Sequence, residues 1–206
     1  MPLGRTSLAQ TAATQTAPGQ AVAARRLLVF GDSLSAGYGM AREAAWPSLL
    51  AKQLAARKQA WQVINASVSG ETTHGGLARL KPTLEKMQPA AVILELGGND
   101  ALRGTPIEDT RRNLDAMAKM IVASGARLLV VGVGLPPNFG DDYTSAFAAL
   151  FTTLAHRYKA ALVPNLLAAL GTSREEFQAD GIHPLPAVQD KLLATVQLQL
   201  EPLLRG

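Results

Sequence analysis

From residue 25 onward the chain alternates between short, continuously apolar runs and longer stretches in which apolar residues recur every three or four positions. The short runs are RRLLVF (25–30), WQVINA (61–66), AAVILELG (90–97), ARLLVVGV (126–133) and the weaker AALVP (160–164). Their aliphatic and β-branched content suits strands buried on both faces. The longer patterns predict helices at 43–57, 74–87, 107–123, 142–159 and 185–200. In the last of these, Val188, Leu192, Val196 and Leu200 repeat every four residues and mark a buried stripe. Glu108 and Asp109 at the start of the third complement its dipole, and Gly125 is placed to stop it.

Five strands separated by helices predict βαβ crossovers, and so a three-layer α/β/α domain built on a parallel sheet. A flavodoxin-like strand order is the expectation for such a chain. In open sheets of this kind ligands sit outside the carboxyl ends of the strands, so functional groups should cluster in the loops that follow strands. No internal repeat or second domain is visible. Residues 25–206 are expected to form one domain, with 1–24 outside it.

Composition narrows the class. Of 206 residues, 48% are hydrophobic and 17% charged, as in a soluble globular protein, and no apolar run is long enough for stable membrane insertion. The net charge of +4 is dispersed; pairs such as Arg25-Arg26 and Arg111-Arg112 are too short for a nucleic-acid stripe. Cysteine is absent, which removes disulfides and thiolate chemistry. His74, His156 and His183 have no metal-ligand spacing, so no catalytic metal is expected. A monomer is the default oligomeric state.

The first 24 residues are rich in Ala, Thr and Gln and lack periodicity. Ser7-Leu8-Ala9 has the small-x-small pattern of a secretory cleavage site, although no apolar segment precedes it in the sequence. Two readings stand, a signal-peptide remnant on a periplasmic or secreted protein and a disordered tail. The first is preferred, and a cytoplasmic protein is not ruled out.

Four polar or glycine-rich loops follow strands: GDSLSAG with Ser33, SVSGETT with Gly70, GGND with Asn99, and, beyond the fifth strand, DGIHP with Asp180 and His183. Together they hold the parts of an acyl-transfer site. A serine hydroxyl needs a base, and the imidazole of His183 is the residue type suited to that role. Asp180, three residues earlier, can accept Nδ1–H and leave Nε2 free for Ser33. The N–H groups of Ser33 and Gly70 and the Asn99 amide can serve as oxyanion donors.

These blocks resemble, in order, those of the GDSL or SGNH hydrolases. NASVSGETTHGGLARL, ELGGNDALRG and DGIHP are similar to the branch of multifunctional esterases related to bacterial thioesterase I. The resemblance covers nearly the whole chain from about residue 27. It implies a three-layer α/β/α fold, no cofactor, and a small ester or thioester as substrate. It also implies catalytic roles for Ser33, Asp180 and His183, with Gly70 and Asn99 in the oxyanion hole. Ala101 stands where the family pattern has glycine after GGND.

Other residues have plainer readings beside the functional ones. Asp32 is expected to cap the turn after it and Asp100 to hold backbone donors. His156 belongs to a helix surface. His74 opens a helix next to the site, where it can touch substrate. GVGLPPNFG (132–140) lacks a dinucleotide-binding pattern and is expected to wall the acyl pocket, with Leu135 and Phe139 either touching substrate or packing in the core. Two rival functions remain in view. A carbohydrate O-acetyl esterase would have a shallow polar site, and few aromatic residues are available to stack on sugars. A non-catalytic flavodoxin-like binding module would be indifferent to Ser33 and His183.

Overall fold

A computed structural model describes residues 24–57, 59–171 and 174–205. The expectation for 1–24 therefore lies outside the described residues, Ala24 excepted. Five apolar runs form strands: β1 Arg25–Gly31, β2 Trp61–Asn65, β3 Ala91–Glu95, β4 Arg127–Val131 and β5 Ala161–Val163. They pair in the order β2-β1-β3-β4-β5, every neighbour parallel, which is the flavodoxin-like order expected. Strand β3 sits at the centre and is buried at all its positions, because helices cover both faces.

The helices are α1 Ser33–Ala36, α2 Trp46–Ala56, α3 Thr73–Met87, α4 Gly98–Leu102, α5 Ile107–Ala123, α6 Asp141–Tyr158 and α7 Gln189–Arg205. One layer contains α3, α5 and α6, in sequence next to one another; the other contains α2 and α7. Helix α2 starts later than its apolar pattern, after a 3₁₀ turn at Arg42–Ala44, because Pro47 fits the first helical turn where its missing N–H is not needed. Helix α7 is also displaced. Pro186–Val188 form a 3₁₀ turn ahead of it, and the four-residue stripe runs on through Leu200 to a buried Leu204. Gly125 follows the end of α5 at φ +83°, a left-handed conformation that suits glycine.

Helices α1 and α4 have no counterpart in the hydrophobic pattern. At four and five residues they are too short to show a period, and each starts at the carboxyl end of a strand. They flank the point between β1 and β3 where the chain reverses its order of winding, the place at which such sheets build their crevice. No helix of the described residues is long and apolar enough to cross a membrane.

The core is one cluster centred on the sheet, with Leu28, Phe30, Ile93 and Leu129 fully buried between the helical layers. Truncating Ile93 to Ala leaves a cavity in a close-packed interior and should cost about 2–5 kcal/mol. The expected result is a lower urea midpoint with an unchanged slope; an unchanged midpoint would show that this layer is not tightly packed.

Candidate active site

Ser33 is the first residue of α1, so its N–H lies ahead of the helix's internal bonds and points out of the turn. The turn is held from three sides. Asp32 caps it, with Oδ1 accepting from the Leu34 N–H at 3.0 Å. Asn65 at the end of β2 donates to the Ser35 carbonyl at 2.8 Å. Ser35 Oγ donates to Glu95 Oε2 at the end of β3, at 2.7 Å.

His183 reaches this turn from 150 residues away: its Nε2 is 2.8 Å from Ser33 Oγ. On the other side of the ring, Nδ1 is 2.6 Å from Asp180 Oδ2. Asp180 Oδ1 accepts from the N–H groups of Ile182 (2.9 Å) and His183 (3.0 Å), so the three-residue spacing closes into a turn around the carboxylate. Partial burial pushes that carboxyl up, but the His183 ring and the two N–H groups outweigh it and bring its pKa down to about 2. Asp180 is thus a carboxylate across the working pH range.

Two residues with no signal in the sequence hold this loop in place. Gln178 donates through Nε2 to the carbonyls of Tyr38 (2.8 Å) and Pro184 (3.2 Å), and its N–H donates to the His183 carbonyl at 2.7 Å. Tyr38 packs its ring on the His183 imidazole, centroids 4.4 Å apart. Gly39 suits this place for two reasons: its φ is +71°, and a Cβ would run into the Gln178 side-chain amide that holds the loop.

Gly70 occupies the third position of a four-residue turn closed by the Glu71 N–H to the Val68 carbonyl at 3.1 Å. Its φ of +76° explains the glycine, since the space around it is open apart from the Arg103 guanidinium 3.5 Å from a would-be Cβ. Arg103 donates to the Gly70 carbonyl at 2.9 Å and so ties α4 to this loop. Arg79 braces the loop from α3, donating to the Ala66 carbonyl at 2.7 Å and pairing with Glu71.

Asn99 lies in α4, and its Nδ2 donates to Asp32 Oδ2 at 3.0 Å. Asp32 therefore does more than cap: one oxygen holds the turn of Ser33 and the other holds the amide of Asn99. A carboxylate only accepts, so it fixes which end of the amide faces it. Asp32 is 2% exposed, and burial raises its pKa from 3.8 to about 6 against the opposing bonds from Leu34 and Asn99. Asp100 holds backbone as expected, accepting from the Thr73 N–H (2.8 Å) and hydroxyl (2.5 Å) at the start of α3.

Four of the loops are thereby joined around Ser33. The remaining expected contacts lie further out. Leu135 and Phe139 are half-buried and pack against the core, Phe139 stacking on Tyr143 at 5.9 Å. Val133 is the residue after β4 that reaches Gly98, 3.3 Å from a would-be Cβ there. His74 is exposed in the first turn of α3, and His156 is exposed near the end of α6. Among the described residues no group of acids and histidines could hold a metal ion.

A parallel three-layer sheet with a serine–histidine–aspartate array at its switch point defines a hydrolase of the α/β/α type. The match to known families is specific: residues 29–191 fit the GDSL-like lipase/acylhydrolase family, and the chain belongs to it. It is 46% identical to Esterase TesA of Pseudomonas aeruginosa, over 90% of this chain and 92% of that protein. It is 40% identical to thioesterase 1/protease 1/lysophospholipase L1 of Escherichia coli, over 89% and 87% of the two chains. A crystal structure of TesA superposes with a TM-score of 0.85 at 45% identity, over 87% of this chain and 99% of that one.

The double duty of Asp32 generates a prediction. In Asp32→Asn an amide would face the Asn99 amide, which must then turn its oxygen inward and its donors away from the site. The variant should remain folded and lose about 10²–10³ in kcat, the scale of a lost oxyanion donor. Its stability should also respond to pH differently. In the native chain Asp32 keeps its proton up to about pH 6, above its ordinary 3.8. Its contribution to stability is therefore full below the lower value and is lost as pH rises through the upper one. Urea titrations across that window should show a steeper fall with pH in the wild type than in Asp32→Asn, where the raised Glu95 carboxyl still contributes; parallel profiles would contradict it.

Proposed function

We propose that the protein hydrolyses carboxylic esters and thioesters through an acyl-enzyme on Ser33. The observation that carries this reading is the continuous chain from Ser33 Oγ through His183 to Asp180, at 2.8 and 2.6 Å. Ser33 Oγ attacks the acyl carbonyl while His183 Nε2 takes its proton. Asp180 accepts Nδ1–H, sets the tautomer and stabilises the imidazolium. The oxyanion of the tetrahedral intermediate is received by the N–H groups of Ser33 and Gly70 and by the Asn99 amide. Collapse breaks the bond to the leaving group, which receives the proton from His183. Water, deprotonated by the same imidazole, then releases the acid and restores Ser33.

The rim supports an apolar acyl or aryl group. Of the six large hydrophobic residues with substantial exposure among the described residues, four lie on the segments that follow the strands at the site: Tyr38, Val68, Leu102 and Ile182, at 41–50%. Scattered singly such residues mean little, but together around a nucleophile they form a surface for an apolar group. Leu135, Phe139 and His74 are the further candidates to contact substrate. A polar sugar ester finds less on this rim, which favours aryl esters, acyl-CoA and lysophospholipids over carbohydrate acetates.

Ser33→Ala should melt like the wild type and show no hydrolysis, and a serine-directed phosphonate should label Ser33 in the wild type alone. An active, folded Ser33→Ala would falsify the assignment. With that variant as blank, kcat/KM for phenyl acetate against a long-chain acyl-CoA sorts the substrate class: preference for the first means a short open site, for the second an acyl chain laid along the rim.

The pattern Ser7-Leu8-Ala9 supports export of the enzyme from the cytoplasm. Amino-terminal sequencing of the protein purified from cells that make it should read a start after Ala9; an uncleaved start would sink export.

A further inference from the structure

Glu95 is the last residue of β3 and the one acid within its apolar run. It is 1% exposed and plays no part in the acyl-transfer steps above. In the sheet register it stands opposite Gly31, the residue that ends β1 immediately before Asp32 and Ser33. Gly31 has no positive φ; its lack of a side chain makes room. A Cβ there would lie 2.6 Å from Glu95 Oε2, so the Glu95 carboxyl occupies the space a side chain would take. From that position Oε2 accepts the Ser35 hydroxyl at 2.7 Å and the Asp32 N–H at 3.3 Å. The carboxyl therefore grips the turn of Ser33 at the residues just before and just beyond the Ser33-Leu34 pair.

Asp32 is buried beside it. Among the described residues neither carboxyl pairs with a lysine or arginine; the charged groups acting on Asp32 are His183 from the loop beyond β5 and Asp100 from α4. Two adjacent carboxyls shut away from water without a cation do not both ionise. The bonding pattern says which one carries the charge. Asp32 accepts with both oxygens, from Leu34 and Asn99, as a carboxylate does. Glu95 accepts both of its bonds on the same oxygen, as the carbonyl of an un-ionised acid does.

We propose that Glu95 is a positioning residue for the hydrolysis, a neutral buried acid that holds the Ser33 turn and leaves the single negative charge of the pair on Asp32, which aims Asn99. The proposal rests on the reading of Ser33 as nucleophile. Burial and the neighbouring Asp32 charge, which push the Glu95 carboxyl well above the usual range, act in the same sense.

A neutral Glu95 that holds the Ser33 turn makes measurable differences. Glu95→Gln keeps the carbonyl acceptor and should retain most of kcat, with the acid limb of the kcat/KM profile in place. A shift of that limb to lower pH would mean that a negative charge had been removed, and would overturn the neutral acid. Glu95→Ala removes the grip and should lower kcat by about tenfold to a hundredfold, the cost of a misplaced catalytic group, with little change in KM for phenyl acetate. If Glu95→Ala does not fold, Ser35→Ala cuts the same hydrogen bond from the other end and should lower kcat without raising KM. Wild-type kcat in either folded variant overturns the positioning role.

The proton itself can be seen without turnover. Above neutral pH the infrared difference spectrum of wild type minus Glu95→Gln should contain a carboxylic-acid C=O band, and its absence overturns the proposal. Phosphonate labelling of Ser33 separates the two levels. An unlabelled Ser33 defeats the nucleophile assignment itself, whereas a labelled Ser33 with silent Glu95 and Ser35 variants defeats only the role of Glu95.

Discussion

A carboxylate removed from water must have its lone pairs filled, and the site of this hydrolase is organised around that requirement at Asp32. Its two oxygens take the Leu34 N–H and the Asn99 amide, and its own N–H goes to Glu95. Satisfying one buried charge thus fixes the Ser33 turn after β1, the Asn99 amide after β3, and their relative position. The cost of burying the charge appears as the raised pKa of Asp32. In the proposed reaction what it secures is pre-organisation: donors that do not have to move as charge develops on the substrate.

The parallel sheet makes such a convergence available. Every strand ends at the same edge, so the loops after β1, β2, β3 and β5 meet there without any long-range instruction beyond strand order. Cross-links between loops then sharpen the arrangement. Arg103 joins α4 to the Gly70 turn, Thr73 joins α3 to Asp100, and Gln178 joins the His183 loop to the chain after α1. Each link binds a polar group of one loop to the backbone or acid of another. None adds chemistry, yet each restrains a group within hydrogen-bond reach of its partner.

The same loops expose Tyr38, Val68, Leu102 and Ile182. Membership of the GDSL-like lipase/acylhydrolase family and an apolar rim are consistent features. In the proposed function an acyl group leaves water along the rim while the ester carbonyl sits among fixed polar donors. Binding energy comes from the apolar part and rate from the polar part.

Much of this was written locally in the chain. The five strands, the five long helices and the placing of the polar groups in loops that follow strands come from periodicity and order, because burial on a sheet or a helix face imposes a repeat that the chain carries along its length. The polar loops GDSLSAG, SVSGETT, GGND and DGIHP stand out for the opposite reason: turn residues and reactive groups interrupt an apolar pattern. Even Glu95 left a trace, as a lone acid in AAVILELG. What the chain could not express was which groups would touch. The 2.8 Å approach of His183 to Ser33, the sharing of Asp32 between a cap and Asn99, and the carboxyl of Glu95 filling the space over Gly31 all join residues more than sixty positions apart. Such contacts follow from strand order, register and side-chain packing together. They have no period of their own, so only the folded molecule decides them.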